Sequence, residues 1–186
     1  ASGRPLPHLA VHAVGDDVRP LPPGQSGEVC VAAAPGDDRY RLMLGYWRRP
    51  DDTAKVLAGD VLHTGDIGFV DEEGYVHLRD RKSLVIIRGG ANVYPAEVER
   101  VLQQFDGIAA SAVVGVADER LGERVVALVE ASGASGDGSS LDLDALREHC
   151  ARHLARYKVP ERFVLVDALP RNAMGKVART ELPALL

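Results

Sequence analysis

Residues 83–105 read SLVIIRGGANVYPAEVERVLQQF, and the change of period inside this stretch decides the fold. Ser83 to Ile87 is a continuous apolar run of strand character, and GGANVYP has the chemistry of a turn. AEVERVLQQF then places Val98, Val101, Leu102 and Phe105 at i, i+3, i+4 and i+7, one face of a helix. Pro95 stands where a first-turn proline is tolerated, and Glu97 and Glu99 complement the positive end of the helix dipole. Strand, turn and helix within 23 residues announce a region where both kinds of element share one core.

Downstream the alternation continues. IAASAVVGV and ERVVALVEA are two strands bracketing the turn ADERLG. The tract SGASGDGSS is low in complexity and reads as a mobile surface loop with a structural role only. It leads into a helix, LDLDALREHCARHLARY, with Ser139 or Ser140 as the expected N-cap. RFVLVDAL is a further strand, and LPRNAMGKVART with a short C-terminal helix completes the chain.

Upstream the character differs. From Leu9 to about Leu78 the extended runs LAVHAV, VRPLPPGQSG, EVCVAAA and YVHLRD are separated by Gly, Pro and Asp, and helical spacing occurs only around RPDDTAKVL. The change of texture falls in LRDRKSL, residues 78–84. The expected fold class is therefore α+β: a β-rich, barrel-like subdomain over 1–82, followed by a small, mobile α+β domain over 83–186.

Composition excludes several functions. A net charge of −5 with interspersed basic residues leaves no electrostatic footprint for nucleic acid. No apolar run approaches the roughly 20 residues that span a bilayer, and ASGRPLPHLA lacks the basic start and apolar middle of a signal peptide. A cytoplasmic location is expected, with Cys30 and Cys150 as reduced, partly buried thiols. Neither has Cys or His neighbours at metal-ligand spacing, so no metal site is assigned. A first residue that is not Met suggests a piece of something longer.

Four features can carry chemistry. HTGDIG, residues 63–68, puts Asp66 after Thr64 and Gly65, and a carboxylate on a tight turn can accept both hydroxyls of a ribose. Arg81, at the expected junction, can pair with that carboxylate or with phosphate. Gly89 and Gly90 follow a buried strand, where backbone turns sharply or leaves room for a ligand. Lys176 lies in NAMGKV, one of four lysines against eighteen arginines, on a loop able to deliver a single movable charge. Each feature alone is common in structural roles; their order and spacing together are specific.

Over essentially its whole length the sequence resembles the C-terminal portion of the adenylate-forming superfamily of acyl-CoA synthetases, peptide-synthetase adenylation domains and luciferases. The matching segments, in order, are SGRPLP with LPPGQSGEVCV, MLGYWRRPDDT, LHTGDIGFVDEEGYVHLRDRKSLVIIRGGANVYPAEVERVL, and LPRNAMGKVART. The resemblance implies an AMP-forming acid–thiol ligase. A carboxylate attacks the α-phosphate of ATP to give an acyl-adenylate and pyrophosphate, and the thiol of CoA then displaces AMP. It implies that Asp66 binds the ribose with Arg81 assisting, and that Thr64 and Gly65 shape the loop. Lys176 would bridge the acid and the phosphate during adenylation, and Gly89 and Gly90 would line the CoA tunnel. Ser83 occupies the hinge, where the family usually has Asp or Lys, and Leu84 stands where an Asp often follows, so this sequence departs from the family's charged hinge at both positions.

GGANVYPAEVE and MLGYW look like free-standing acyl-CoA synthetases, with a carrier-protein-loading relative or a stand-alone interaction module as alternatives. The phosphate loop, the magnesium and adenine segment and the acyl pocket of that family would lie in a missing upstream domain. The implied partners are thus a carboxylic acid, ATP with magnesium held mainly upstream, and CoA.

Overall fold

The computed structural model describes residues 1–132 and 141–186, which divide into two compact units, Ala1–Ser83 and Leu84–Leu186. The fold is mixed α and β, with largely antiparallel sheets and few helices. Ser139 and Ser140, and the SGASGDGSS tract beyond Ser132, lie outside the described residues.

In the first unit, β1 (Leu9–Val14), β2 (Gly27–Ala33), β3 (Leu57–Ala58), β4 (Val61–Val70) and β5 (Val76–Arg81) form one antiparallel sheet. The long β4 is its spine: β2 runs along one edge, while β3 and β5 share the other. Ala13, Val14, Val29 and Cys30 are the buried apolar side chains of this sheet. A short helix, α1 (Pro50–Val56), begins with Pro50 in its first turn, where proline has no hydrogen bond to lose. VRPLPPGQSG contributes no strand; only Pro20 bridges Val14, because three prolines remove the donors that a ladder requires.

In the second unit, β6 (Ile86–Arg88), β7 (Ala91–Val93), β8 (Ile108–Asp118), β9 (Gly122–Ala131) and β10 (Arg162–Val166) form a second sheet. β10 pairs parallel to β9, and the other pairings are antiparallel. SLVII is not one strand: Lys82–Leu84 is a turn of 3-10 helix, and β6 starts only at Ile86. GGANVYP is partly strand, since only Gly89 and Gly90 turn before β7 begins.

Strand alternation gives this sheet two apolar faces. On one, Ile86, Val113, Val125, Ala127, Val129 and Phe163 pack beneath α2 (Pro95–Leu102) and α3 (Leu143–His153), which contribute Val98, Val101, Leu102, Leu146 and Cys150. Phe105, beyond the end of α2, packs against the same core. On the other, Ala112 and Leu128 meet Leu169 and Leu182 from the C-terminal segment. Each large aliphatic chain fully buried in this way contributes about 1.5–3 kcal/mol. The C-terminal element is 3-10 helix over Arg179–Leu185 with Pro183 inside it, and Pro183 is incompatible with a longer α-helix. α3 is capped by Asp142, whose carboxylate accepts from the Asp144 and Ala145 amides at 3.0 Å.

Candidate functional site

HTGDIG lies within β4 rather than on a tight turn, but the strand is irregular there. Gly65 has φ +72°, and the β4–β5 register shifts between Ile67 and Gly68, so the segment bulges without leaving the sheet. Asp66 faces Arg81 in the ladder, and Arg81 Nε lies 3.0 Å from Asp66 Oδ1. Arg81 Nη1 also donates to the Thr64 carbonyl at 3.2 Å. Thr64 Oγ1 donates to the Val29 carbonyl at 2.7 Å and accepts from the Asp66 amide at 3.1 Å. Among the described residues Asp66 Oδ2 has no hydrogen-bond partner. The Arg81 side chain is 62% exposed, and ion pairs in that setting add at most about 1 kcal/mol. Thr64, Gly65, Asp66 and Arg81 are thus brought together, with one carboxylate oxygen available.

Beneath them lies Glu28, which the sequence reading passed over. Its Oε1 accepts from the Gly65 amide at 3.2 Å, and its Oε2 accepts from Lys82 Nζ at 2.9 Å and lies 3.3 Å from His63 Nδ1. Burial raises its pKa, but the hydrogen bonds from Lys82 and His63 outweigh this and hold the carboxyl below its ordinary value. The only hint in the sequence was an acid at the start of the otherwise apolar run EVCVAAA. Cys30 Sγ lies 3.4 Å from His63 Nδ1, yet burial, with the Glu28 charge adding to it, pushes its thiol up to about 11. A thiol held in that form is no nucleophile.

Ser83, in the 3-10 turn Lys82–Leu84, is the last residue of the first unit. In the second unit Gly89 and Gly90 close the β6–β7 hairpin with φ +58° and +80°, the two positive values that a two-residue hairpin loop demands. The Gly89 amide donates to the Leu121 carbonyl at 2.7 Å. A Cβ on Gly90 would meet no atom within 4 Å, so the backbone there is open to approach.

Lys176 sits on a closely hydrogen-bonded hairpin rather than on a loose loop. Asn172 Oδ1 accepts from the Met174 and Lys176 amides at 3.0 Å, the Asn172 amide donates to the Lys176 carbonyl at 2.8 Å, and Arg171 Nη1 donates to the Gly175 carbonyl at 3.1 Å. Its far end is tied down by Arg179, which holds both Glu99 oxygens at 2.8 and 3.0 Å and donates to the Val113 carbonyl. The Lys176 ammonium is exposed and has no ion-pair partner among the described residues. Asn172, Glu99 and Arg179 were missed as supports, because their spacing is meaningful only once the segment is docked. The arrangement presents one cation on a fixed backbone.

Among the described residues no group of three or more His, Cys, Asp and Glu could hold a metal ion. No helix among them is long and apolar enough to cross a membrane.

Residues 97–176 match the family described as the AMP-binding enzyme C-terminal domain. The chain is 42% identical over 182 residues to the fatty acid–[acyl-carrier-protein] ligase ScoC of Streptomyces coeruleorubidus, a match covering 98% of this chain and 33% of that protein. It is 41% identical over 186 residues to the 2-succinylbenzoate–CoA ligase of Geobacillus kaustophilus, covering 100% of this chain and 36% of that protein. Among solved structures, the amide bond synthetase McbA from Marinactinospora thermotolerans aligns with a TM-score of 0.81 at 41% identity, over 98% of this chain and 35% of that one. The chain spans about a third of the length of the curated relatives it matches.

Proposed function

We propose that this chain is the C-terminal portion of an adenylate-forming ligase, and that it serves an enzyme joining a carboxylic acid to a thiol at the expense of ATP. The observation that carries the reading is the Asp66–Arg81 pair, with Oδ1 committed to the arginine and Oδ2 without a partner among the described residues. Such a carboxylate can accept from a ribose hydroxyl while the guanidinium holds it aimed.

In this reading the acid attacks the α-phosphate of ATP, an acyl-adenylate and pyrophosphate form, and a thiol then displaces AMP. Asp66 and Arg81 hold the ribose, and Thr64 and Gly65 shape the strand that carries Asp66. Lys176 supplies a compact charge between the substrate carboxylate and the phosphate oxygens, where negative charge accumulates in the transition state. Gly89 and Gly90 leave room beside the pantetheine arm of CoA, consistent with the open space around Gly90. Ser83 is the pivot between the two half-reactions. Magnesium, adenine and the acyl chain are held by segments outside these 186 residues, so this chain alone makes no acyl-adenylate.

The test uses the complete enzyme. Lys176→Ala should lower acid-dependent pyrophosphate exchange by about a hundred- to thousandfold, while thioester formation from supplied acyl-adenylate stays near the wild-type rate. Equal losses in both half-reactions would remove the step-specific role, and no exchange by the wild type with any acid of a broad panel would overturn the reading. A second reading, in which the thiol belongs to a carrier protein, is favoured by the similarity to the carrier-protein ligase of Streptomyces coeruleorubidus. Comparing CoA with a holo carrier protein as acceptor separates the two.

A further inference from the structure

The Glu28 carboxylate holds the immediate neighbour of each member of the Asp66–Arg81 pair. Oε1 accepts from the amide of Gly65, next to Asp66, and Oε2 accepts from the ammonium of Lys82, next to Arg81. Gly65 has a left-handed φ of +72°, so its amide direction is set by a backbone conformation that the strand ladder alone does not supply. Lys82 belongs to the 3-10 turn that ends the ladder one residue beyond Arg81. The Glu28 side chain is only 12% exposed, whereas Lys82 is 61% exposed. The acid is therefore the fixed partner and the lysine the one that is drawn in.

We infer that Glu28 is a positioning residue for the nucleotide clamp: by bonding to Gly65 and Lys82 it sets the spacing of Asp66 and Arg81. This rests on the reading of that pair as a ribose site. Glu28 contacts no nucleotide itself, and it acts by limiting the ways in which the pair can separate.

The test is the ratio of kcat/KM for ATP over 2′-deoxyATP in the complete enzyme, because loss of folded enzyme lowers both values and leaves the ratio unchanged. Asp66→Ala should bring the ratio close to one. Glu28→Ala and Glu28→Gln should each lower it by about tenfold, the effect of one charge-assisted hydrogen bond. Lys82→Ala, on an exposed side chain that folding does not need, should lower it by about threefold, and it decides the matter if the Glu28 variants do not fold. A wild-type ratio in the folded Glu28 variants, or in Lys82→Ala should those not fold, overturns the inference while leaving the ribose site standing. A wild-type ratio in Asp66→Ala sinks the ribose site and the inference with it.

Discussion

Leu182→Ala removes the residue on which docking of the C-terminal segment depends. Leu182 is fully buried and packs with Leu169, Leu128 and Ala112, with Val177 and Leu186 at the margin of the cluster. Truncation at a site of this kind costs about 2.7–5 kcal/mol, depending on how far the surroundings collapse into the space left. A terminal segment of 3-10 helix can shift toward the sheet more readily than a helix packed in mid-chain, which places the expected loss near the lower end, about 3 kcal/mol. The second unit spans Leu84–Leu186, a size at which each kcal/mol corresponds to roughly 4–8 °C in Tm, so a fall of about 12–24 °C follows if that unit unfolds cooperatively. Leu185→Ala is the control: Leu185 is 38% exposed and should cost no more than about 0.5 kcal/mol. Urea unfolding followed by far-UV circular dichroism gives both numbers, with the midpoint shifted and the slope unchanged for Leu182→Ala. A loss below about 1 kcal/mol would refute the idea that the sheet needs this second apolar layer.

The two thiols set an alkaline limit. Cys30 and Cys150 are both held at about 11 by burial, against an ordinary value of 9.0, so unfolded chains release these protons first. Stability should be full below pH 9 and fall between pH 9 and 11, by at most about 2–3 kcal/mol per thiol, and a Cys30→Ala/Cys150→Ala variant should show a flatter profile in urea titrations across that range. At the proposed pivot, Ser83→Pro in the complete enzyme should fix φ near −65°, keep pyrophosphate exchange and abolish most thioester formation; wild-type rates in both assays would move the pivot elsewhere in residues 81–84.

The sequence was most readable where local period and packing agree. β8, β9, α2 and α3 follow from apolar spacing because one strand face or helix stripe meets one core, and Val98, Val101 and Leu102 are buried as that spacing requires. It was least readable where a few residues do two jobs. SLVII looks like a single strand, yet its first residues belong to the turn that ends the preceding unit, and hydrophobicity alone cannot show where a ladder stops. HTGDIG looked like a turn because Gly and Asp favour turns, but cross-strand bonds from β2 and β5 keep it in the sheet as a bulge. Asp142 was not singled out as the cap of α3, because its carboxylate is recognisable in that role only once it reaches two amides of the first turn.

The same distinction explains why the supports of the candidate site were harder to see than its principal residues. Lys176 stands out in a chain so poor in lysine, and Asp66 stands out beside glycine, because each is unusual in its immediate context. Glu28, Asn172, Glu99 and Arg179 are ordinary in theirs, and they become informative only through partners that folding supplies. Glu28 reaches residues 37 and 54 positions away, and Arg179 reaches Glu99 across 80. A cation fixed on a hairpin needs both a turn that shapes it and an anchor that resists displacement. Asn172 provides the first through local amides, which a short motif can encode. Arg179 provides the second through a carboxylate on α2 and a carbonyl on β8, so the position of Lys176 depends on the integrity of the whole second unit. Replacing Asn172 would therefore alter the direction of the lysine, whereas replacing Arg179 would loosen the segment that carries it.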